Sequence, residues 1–161
     1  MTAIELIRGM VESNRAALLA LLKGLDGPAL VYRPGGQGNH ALWLIGHIAS
    51  GEGHLAGWGG AEIDVPPVGD MSKFAIGSTP VADAAAYPSE QQLLDYAAAV
   101  HAQTLAALAK MTDADLDGPA VNGPEFVKSR GHAWRMVVIH EAEHIGQLTV
   151  VRRELGFAPM V

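Results

Sequence analysis

Cysteine is absent from the 161 residues of this chain. Its absence excludes disulfides, thiolate metal ligands and a thiol nucleophile supplied by the protein itself. Any bound metal must therefore take its ligands from His, Asp or Glu side chains. Secreted single domains often carry disulfides, and Glu5 interrupts the apolar run that a signal peptide needs. On these grounds we expect a cytoplasmic protein.

Positive charge and long apolar runs are also scarce. The chain has 11 Lys and Arg residues against 17 Asp and Glu residues, which gives a formal net charge of −6. Such a protein has no basic field to attract nucleic acid, and no segment reaches the roughly 18 apolar residues of a membrane span. We therefore expect a small molecule as the partner, with no nucleic acid and no membrane. The length and the 49% of hydrophobic residues predict a single domain over residues 1–161.

Four segments have the spacing of apolar residues that is typical of helices. They cover about residues 2–23, 39–58, 89–111 and 131–155, and the third opens with a Ser-x-x-Gln capping box at Ser89. No segment shows the period-two alternation of a half-buried strand. The pattern predicts an all-α protein, an up-and-down four-helix bundle.

Two further features lie between the predicted helices. Residues 59–88 form a Pro- and Gly-rich connection that is long for two neighbouring helices. We expect it to cover one end of the bundle, with Met71, Phe74 and Ile76 packing it down. The pentapeptide Leu-Asp-Gly-Pro-Ala occurs at residues 25–29 and again at 116–120. It indicates either an internal duplication or, more simply, two unrelated turns of similar composition.

The histidines suggest a metal site. His140 and His144 are one helical turn apart, so both imidazoles can reach one ion. On the second helix His40, His47 and His54 share a face at seven-residue intervals, about 10 Å apart along the axis. His47 is central and lies in an apolar stretch, where a neutral imidazole needs a polar partner. A backbone carbonyl would satisfy it too, but the pair on the fourth helix favours a shared metal.

His140 and His144 also complete the motif His-Glu-x-x-His, which is typical of zinc metalloproteases. The extended form of that motif requires Gly and His where this chain has Gln147 and Val150. The remaining acidic candidate, Glu154, lies about 15 Å from His144 by helical rise. A metallohydrolase is therefore the least favoured interpretation.

Two longer motifs contain these histidines, NHALWLIGHIASGEGHLAGW at residues 39–58 and HEAEHIGQL at 140–148. With these motifs the chain resembles the DinB-like (DinB/YfiT) superfamily of metal-dependent four-helix-bundle enzymes, and LDGPALVYRPGGQGN and MTDADLDGP are similar to family loops. It implies a four-helix bundle in which His47, His140 and His144 bind a divalent ion, zinc or nickel in related proteins. Characterised relatives are transferases and isomerases that use a thiol such as bacillithiol or mycothiol. In a chain without cysteine, that thiol would be an external cofactor of low molecular weight.

Several residues near the candidate ligands are expected to line the pocket or to support the ligands. Gln147 shares a face with His140 and is expected to orient a ligand, and Glu143 is expected to accept an imidazole N–H; an ordinary surface position is the alternative for both. Three more are expected at the pocket or its mouth, whereas two other histidines are expected at the surface. The pocket group comprises Asn14, His54 and Trp58, and the surface group His101 and His132.

Two functions of different classes remain open. The first is a metal-dependent enzyme, such as a thiol-dependent S-transferase or isomerase. The second is a helical bundle that keeps the metal for stability or for ligand binding without turnover. An anionic substrate would require cations near the site, for which Arg135, Arg152 and Arg153 are the candidates. The many Ala and Leu residues in the helices are compatible with a homodimer.

Overall fold

The computed structural model describes residues 1–159 of the chain. Its four α-helices are α1 (Ala3–Leu22), α2 (Ala41–Trp58), α3 (Glu90–Leu108) and α4 (Arg130–Glu154). Helix α2 packs along α3 and α4, and α4 packs along α1. Within the described part of the chain, the one β-type pairing is an isolated bridge between Pro119 and Ser129. The predicted four-helix bundle with a long connection between α2 and α3 is confirmed.

The helix starts are fixed by side-chain caps. Thr2 and Glu5 form a capping box at α1, and Ser89 opens α3 in the same way. Helix α2 begins one residue later than expected, with His40 instead of Asn39 as its N-cap. The Nδ1 atom of His40 accepts a hydrogen bond from the Trp43 N–H at 3.1 Å. His40 therefore caps the start of α2 and does not belong to the helical face that carries His47.

The two copies of the repeated pentapeptide adopt different structures. The last three residues of the first copy are the start of the 3-10 helix Gly27–Val31. The first two residues of the second copy are the end of the 3-10 helix Asp113–Asp117. The φ angle is +48° at Gly27 but −61° at Gly118. The backbone therefore supports two unrelated turns and gives no sign of duplication.

The core is divided into two apolar clusters by a layer of polar side chains. One cluster is centred on Leu18, Leu44 and Leu148, and the other on Val11 and Trp134. Between them, each of the four helices contributes a polar side chain, and this set is called the polar layer below. It comprises Asn14 and Arg15 of α1, Glu52 of α2, His101 of α3 and Glu141 of α4.

The connection between α2 and α3 covers the face of α2 that carries His47. Phe74 is 1% exposed and packs on the backbone of α2 at Gly46, where a Cβ would lie 2.5 Å from two ring atoms. The indole Nε1 of Trp43 donates to the carbonyl of Lys73 at 2.8 Å. Ile76, expected to help hold the connection down, is 93% exposed. None of the helices within residues 1–159 has the length and apolarity to cross a membrane.

Candidate metal centre

Three histidines from α2 and α4 converge. The Nε2 atom of His47 lies 3.0 Å from Nε2 of His144 and 3.1 Å from Nε2 of His140. Ligands of a tetrahedral zinc ion, at 2.0–2.1 Å from the metal, are about 3.3 Å apart. The observed separations are close to that value, so this three-His group can hold one divalent ion.

The contact between His47 and the α2–α3 connection fixes the tautomer of its ring. Nδ1 of His47 lies 2.6 Å from the carbonyl oxygen of Phe74. A carbonyl can only accept a hydrogen bond, so Nδ1 carries the proton. The neutral ring then presents the lone pair of Nε2 to the other two histidines, as a metal ligand must.

Burial keeps the three imidazoles neutral at pH 7. It lowers the pKa of His47 and of His144, and for His140 burial and the neighbouring His144 and His47 lower the pKa to about 4. Protonation of any ring would place a charge beside two other rings in a poorly solvated position. The lone pairs that a divalent ion requires are therefore available without competition from protons near neutral pH.

Two further contacts hold the rings in place. Trp43 stacks on His47 with the ring centroids 4.3 Å apart and the planes at 13°. Helix α2 has no side chain at Gly51, where the ring of His140 lies against the backbone; a Cβ there would come within 2.9 Å of its Nδ1. The sequence pointed to Phe74 only as a residue that packs the connection down, and it did not identify Gly51, because both act at the site through contacts between distant segments.

The expected supporting residues of α4 have different surroundings. Glu143 is exposed and makes no hydrogen bond to an imidazole; the Nδ1 atoms of His140 and His144 are buried and without a hydrogen-bond partner in the described part of the chain. Gln147 accepts a hydrogen bond from Asn39 at 2.9 Å, and its side chain partly offsets the lowering of the His144 pKa. The charge of Glu143 also partly offsets the lowering of the His144 pKa, so the two residues do not differ in kind as supports of this ligand.

A cavity of about 750 Å³ opens between α2 and α4 beside the three-His group, of which His47 and His140 line it. His54 and Trp58, which were expected at the pocket or its mouth, line it, and so does Glu143, which was expected to support a ligand. His132, which was expected at the surface, is partly exposed and lines the cavity as well. The signal for His132 was its spacing of eight residues from His140, which places both on one face of α4.

The three candidate arginines differ in direction. Arg135 lines the cavity. Arg152 donates to the carbonyls of Leu21 and Lys23, at 2.8 and 2.7 Å, and lies over the ring of Phe157. Arg153 does not line the cavity. Arg135 is therefore the candidate that can meet a ligand near the three-His group.

Asn14 and His101 belong to the polar layer and not to the places expected for them. Asn14 was expected in the pocket, but it donates to the carbonyl of Val138 at 3.0 Å and to Glu141 Oε2 at 3.1 Å. His101 was expected at the surface, yet its Nδ1 lies 3.1 Å from Oε1 of Glu52, which is 2% exposed. A polar residue on an apolar helical stripe is also typical of an interior hydrogen-bond network, and this is the role that Asn14 and His101 have.

Glu141, the acidic residue of the His-Glu-x-x-His motif, also belongs to the polar layer. It is 3% exposed, and burial and then the charge of Glu52 raise the pKa of its carboxyl to about 8. Its hydrogen bond to Asn14 directs it towards α1. In a metalloprotease this carboxylate faces the water at the metal. The orientation found for Glu141 does not fit that role.

Replacement of Asn14 by Ala should lower the free energy of unfolding by about 2 kcal/mol, because it leaves a buried carboxyl and a buried carbonyl without their donor. Urea unfolding of the variant and of Ser13→Ala, an exposed neighbour on α1, measures the difference. The double variant Asn14→Leu/Glu141→Leu should recover part of the loss, since both polar partners are removed together. Equal losses for Asn14→Ala and Ser13→Ala would contradict this account of the polar layer.

Together, the fold and this site define a class of protein: helical bundles whose interior histidines can hold a divalent ion. The chain belongs to the DinB superfamily, whose sequence profile matches residues 10–148 and so includes all three histidines. The family resemblance predicted from the sequence is confirmed.

A comparison with solved structures supports the same architecture. The crystal structure of a conserved protein from Enterococcus faecalis is similar with a TM-score of 0.71 at 18% identity, covering 95% of this chain and 96% of that chain. At this identity the likeness shows the fold alone. None of the curated proteins matches this chain.

Proposed function

We propose that the protein is a metal-dependent enzyme that acts on a small molecule, with His47, His140 and His144 binding one zinc or nickel ion. The observation that carries this proposal is the convergence of three neutral imidazoles: Nε2 of His140 and Nε2 of His144 both lie within 3.1 Å of Nε2 of His47. Membership of the DinB superfamily supports the same ligand set.

Three neutral ligands leave a divalent ion with its full charge and an open position, where it can lower the pKa of water or a thiol to near neutrality. Other residues of the chain orient the ligand His47. The Phe74 carbonyl holds the Nδ1 proton of His47, and Trp43 keeps the ring plane fixed. Because the chain has no cysteine, we assign any thiol chemistry to an external thiol of low molecular weight. The proposed reaction class is S-transfer or isomerisation.

The cavity favours this function over a metal retained only for stability. Structural zinc sites are closed by four protein ligands, whereas catalytic sites keep a position open to the substrate. Here His47 and His140 line one end of a cavity of about 750 Å³. Turnover of electrophiles by the metal-loaded protein with a panel of thiols distinguishes an enzyme from a bundle that only binds ligands.

Metal analysis tests the ligand set. Untagged protein, purified without a metal-affinity column, should contain about one divalent ion per chain by elemental mass spectrometry. The variant His47→Ala should contain almost none. His54→Ala is the matched control, because it removes an exposed imidazole from the same helix and should keep the ion. Wild-type protein that stays folded and takes up neither zinc nor nickel would refute the proposal.

A further inference from the structure

The cavity is elongated, and the three-His group lies at one end of it. Its lining residues on α2 run from His47 to Trp58, and those on α4 run from Glu143 to His132, in steps of three and four residues. Each stripe spans 11 residues, or about 16 Å of helix. The helices are antiparallel here, since Trp134 Nε1 donates to the carbonyl of Gly59 at 3.2 Å. Trp58 and His132 therefore lie at the far end.

The middle of the cavity is apolar. Leu55 of α2 and Met136 and Ile139 of α4 line its walls, and two large side chains from the connections line its mouth. These are Ile76, which is 93% exposed, and Phe126, which is 61% exposed. When an apolar ligand covers apolar groups that border a cavity and are in contact with water, their burial contributes favourably to the free energy of binding.

One cation stands out from this apolar lining. Arg135 is the single Lys or Arg residue of the cavity, and its guanidinium forms no hydrogen bond or salt bridge within residues 1–159. It precedes His140 by five residues, or about 7.5 Å along α4. Glu143 lies on the other side of His140, so the negative charge of the cavity is at the metal end. A guanidinium in this position recognises a carboxylate through paired hydrogen bonds.

We propose that the cavity binds an amphipathic carboxylate, with its acidic head group at Arg135 and its apolar body against Leu55, Met136 and Ile139. The far end of that body is directed along the cavity towards His47 and His140. This assignment names the substrate class for the proposed function and rests on that function only for the reaction. Binding itself depends on Arg135 and the apolar walls and does not require the ion.

Calorimetric titration with sodium decanoate and with decanol, both below their aggregation limits, tests the assignment. Wild-type protein should bind decanoate about tenfold more tightly than decanol, because a hydrogen bond to a charged group adds that much affinity. Arg135→Gln should weaken decanoate binding about tenfold and leave decanol binding unchanged. Arg153→Gln, on the same helix but outside the cavity, is the matched control and should change neither.

The outcomes separate this inference from the proposed metal function. Wild-type protein from which the ion has been removed with a chelator should bind decanoate as the metal-loaded protein does, because Arg135 and the apolar walls are unchanged. Decanoate binding that disappears with the ion would place the carboxylate at the ion and overturn the assignment to Arg135. Equal affinities for decanoate and decanol, or an Arg135→Gln variant with unchanged decanoate affinity, would overturn it as well. If wild-type protein takes up neither zinc nor nickel but still binds decanoate more tightly than decanol, and Arg135→Gln removes that difference, the metal function alone is refuted.

Discussion

Gly51→Ala should lower the affinity of the protein for its divalent ion by at least about 100-fold, beyond the usual effect of changing a group that only supports a ligand. The added Cβ would overlap the ring of His140, coming within 2.9 Å of Nδ1 and 3.0 Å of Nε2. The ring must then rotate or shift, and its Nε2 leaves the position 3.1 Å from His47. Competition with a chromophoric zinc chelator measures the change.

A second glycine of the same helix provides the control. Gly57 has no atom within 4 Å of the place that its Cβ would occupy. Both substitutions replace Gly by Ala inside α2, which should stabilise the helix by about 0.5–1 kcal/mol. Gly57→Ala should show that gain with unchanged zinc affinity. If Gly51→Ala binds zinc as tightly as Gly57→Ala does, the close approach of His140 to the helix backbone is not needed for the metal centre.

The sequence was sufficient for the helices and for the three histidines because both are encoded at short range. Apolar residues at helical spacing predicted four helices to within a few residues of their observed ends. His140 and His144 share a face by spacing alone. His47 could be selected because it is the central His in an apolar stretch of α2. The family motif added the order in which these histidines occur along the chain.

The remaining parts of the site depend on contacts between distant segments. The carbonyl of Phe74 reaches His47 across 27 residues, and no backbone carbonyl carries a signal in the sequence. Gly51 is one of many glycines, and its role follows only from the placement of His140. Asn14 and His101 are polar residues on helical stripes, a pattern that fits a pocket, a surface or an interior network equally well. Their partners Glu141 and Glu52 decide between these, and those partners lie on other helices.

Phe74→Ala should lower the free energy of unfolding by about 3–5 kcal/mol, as expected for removal of a fully buried aromatic ring. Phe74 is 1% exposed and fills the space above Gly46. Without the ring, the connection between α2 and α3 loses its main apolar contact with the helix, so the carbonyl of residue 74 is no longer held at His47. Zinc affinity should therefore fall about 10–100-fold as well. Urea unfolding and the chelator competition measure the two effects.

A substitution at Gly46 shows whether the loss comes from this one contact. In wild-type protein Gly46→Ala should destabilise the fold, because its Cβ would lie 2.5 Å from the ring of Phe74. In the Phe74→Ala background the same substitution has room and should stabilise the protein through its better helix propensity. Ile76→Ala, which alters a 93% exposed side chain two residues later, should change neither stability nor zinc affinity. A Gly46→Ala effect of the same sign in both backgrounds would mean that Phe74 does not lie against α2 at this glycine, and the hydrogen bond between residue 74 and His47 would lose its structural support.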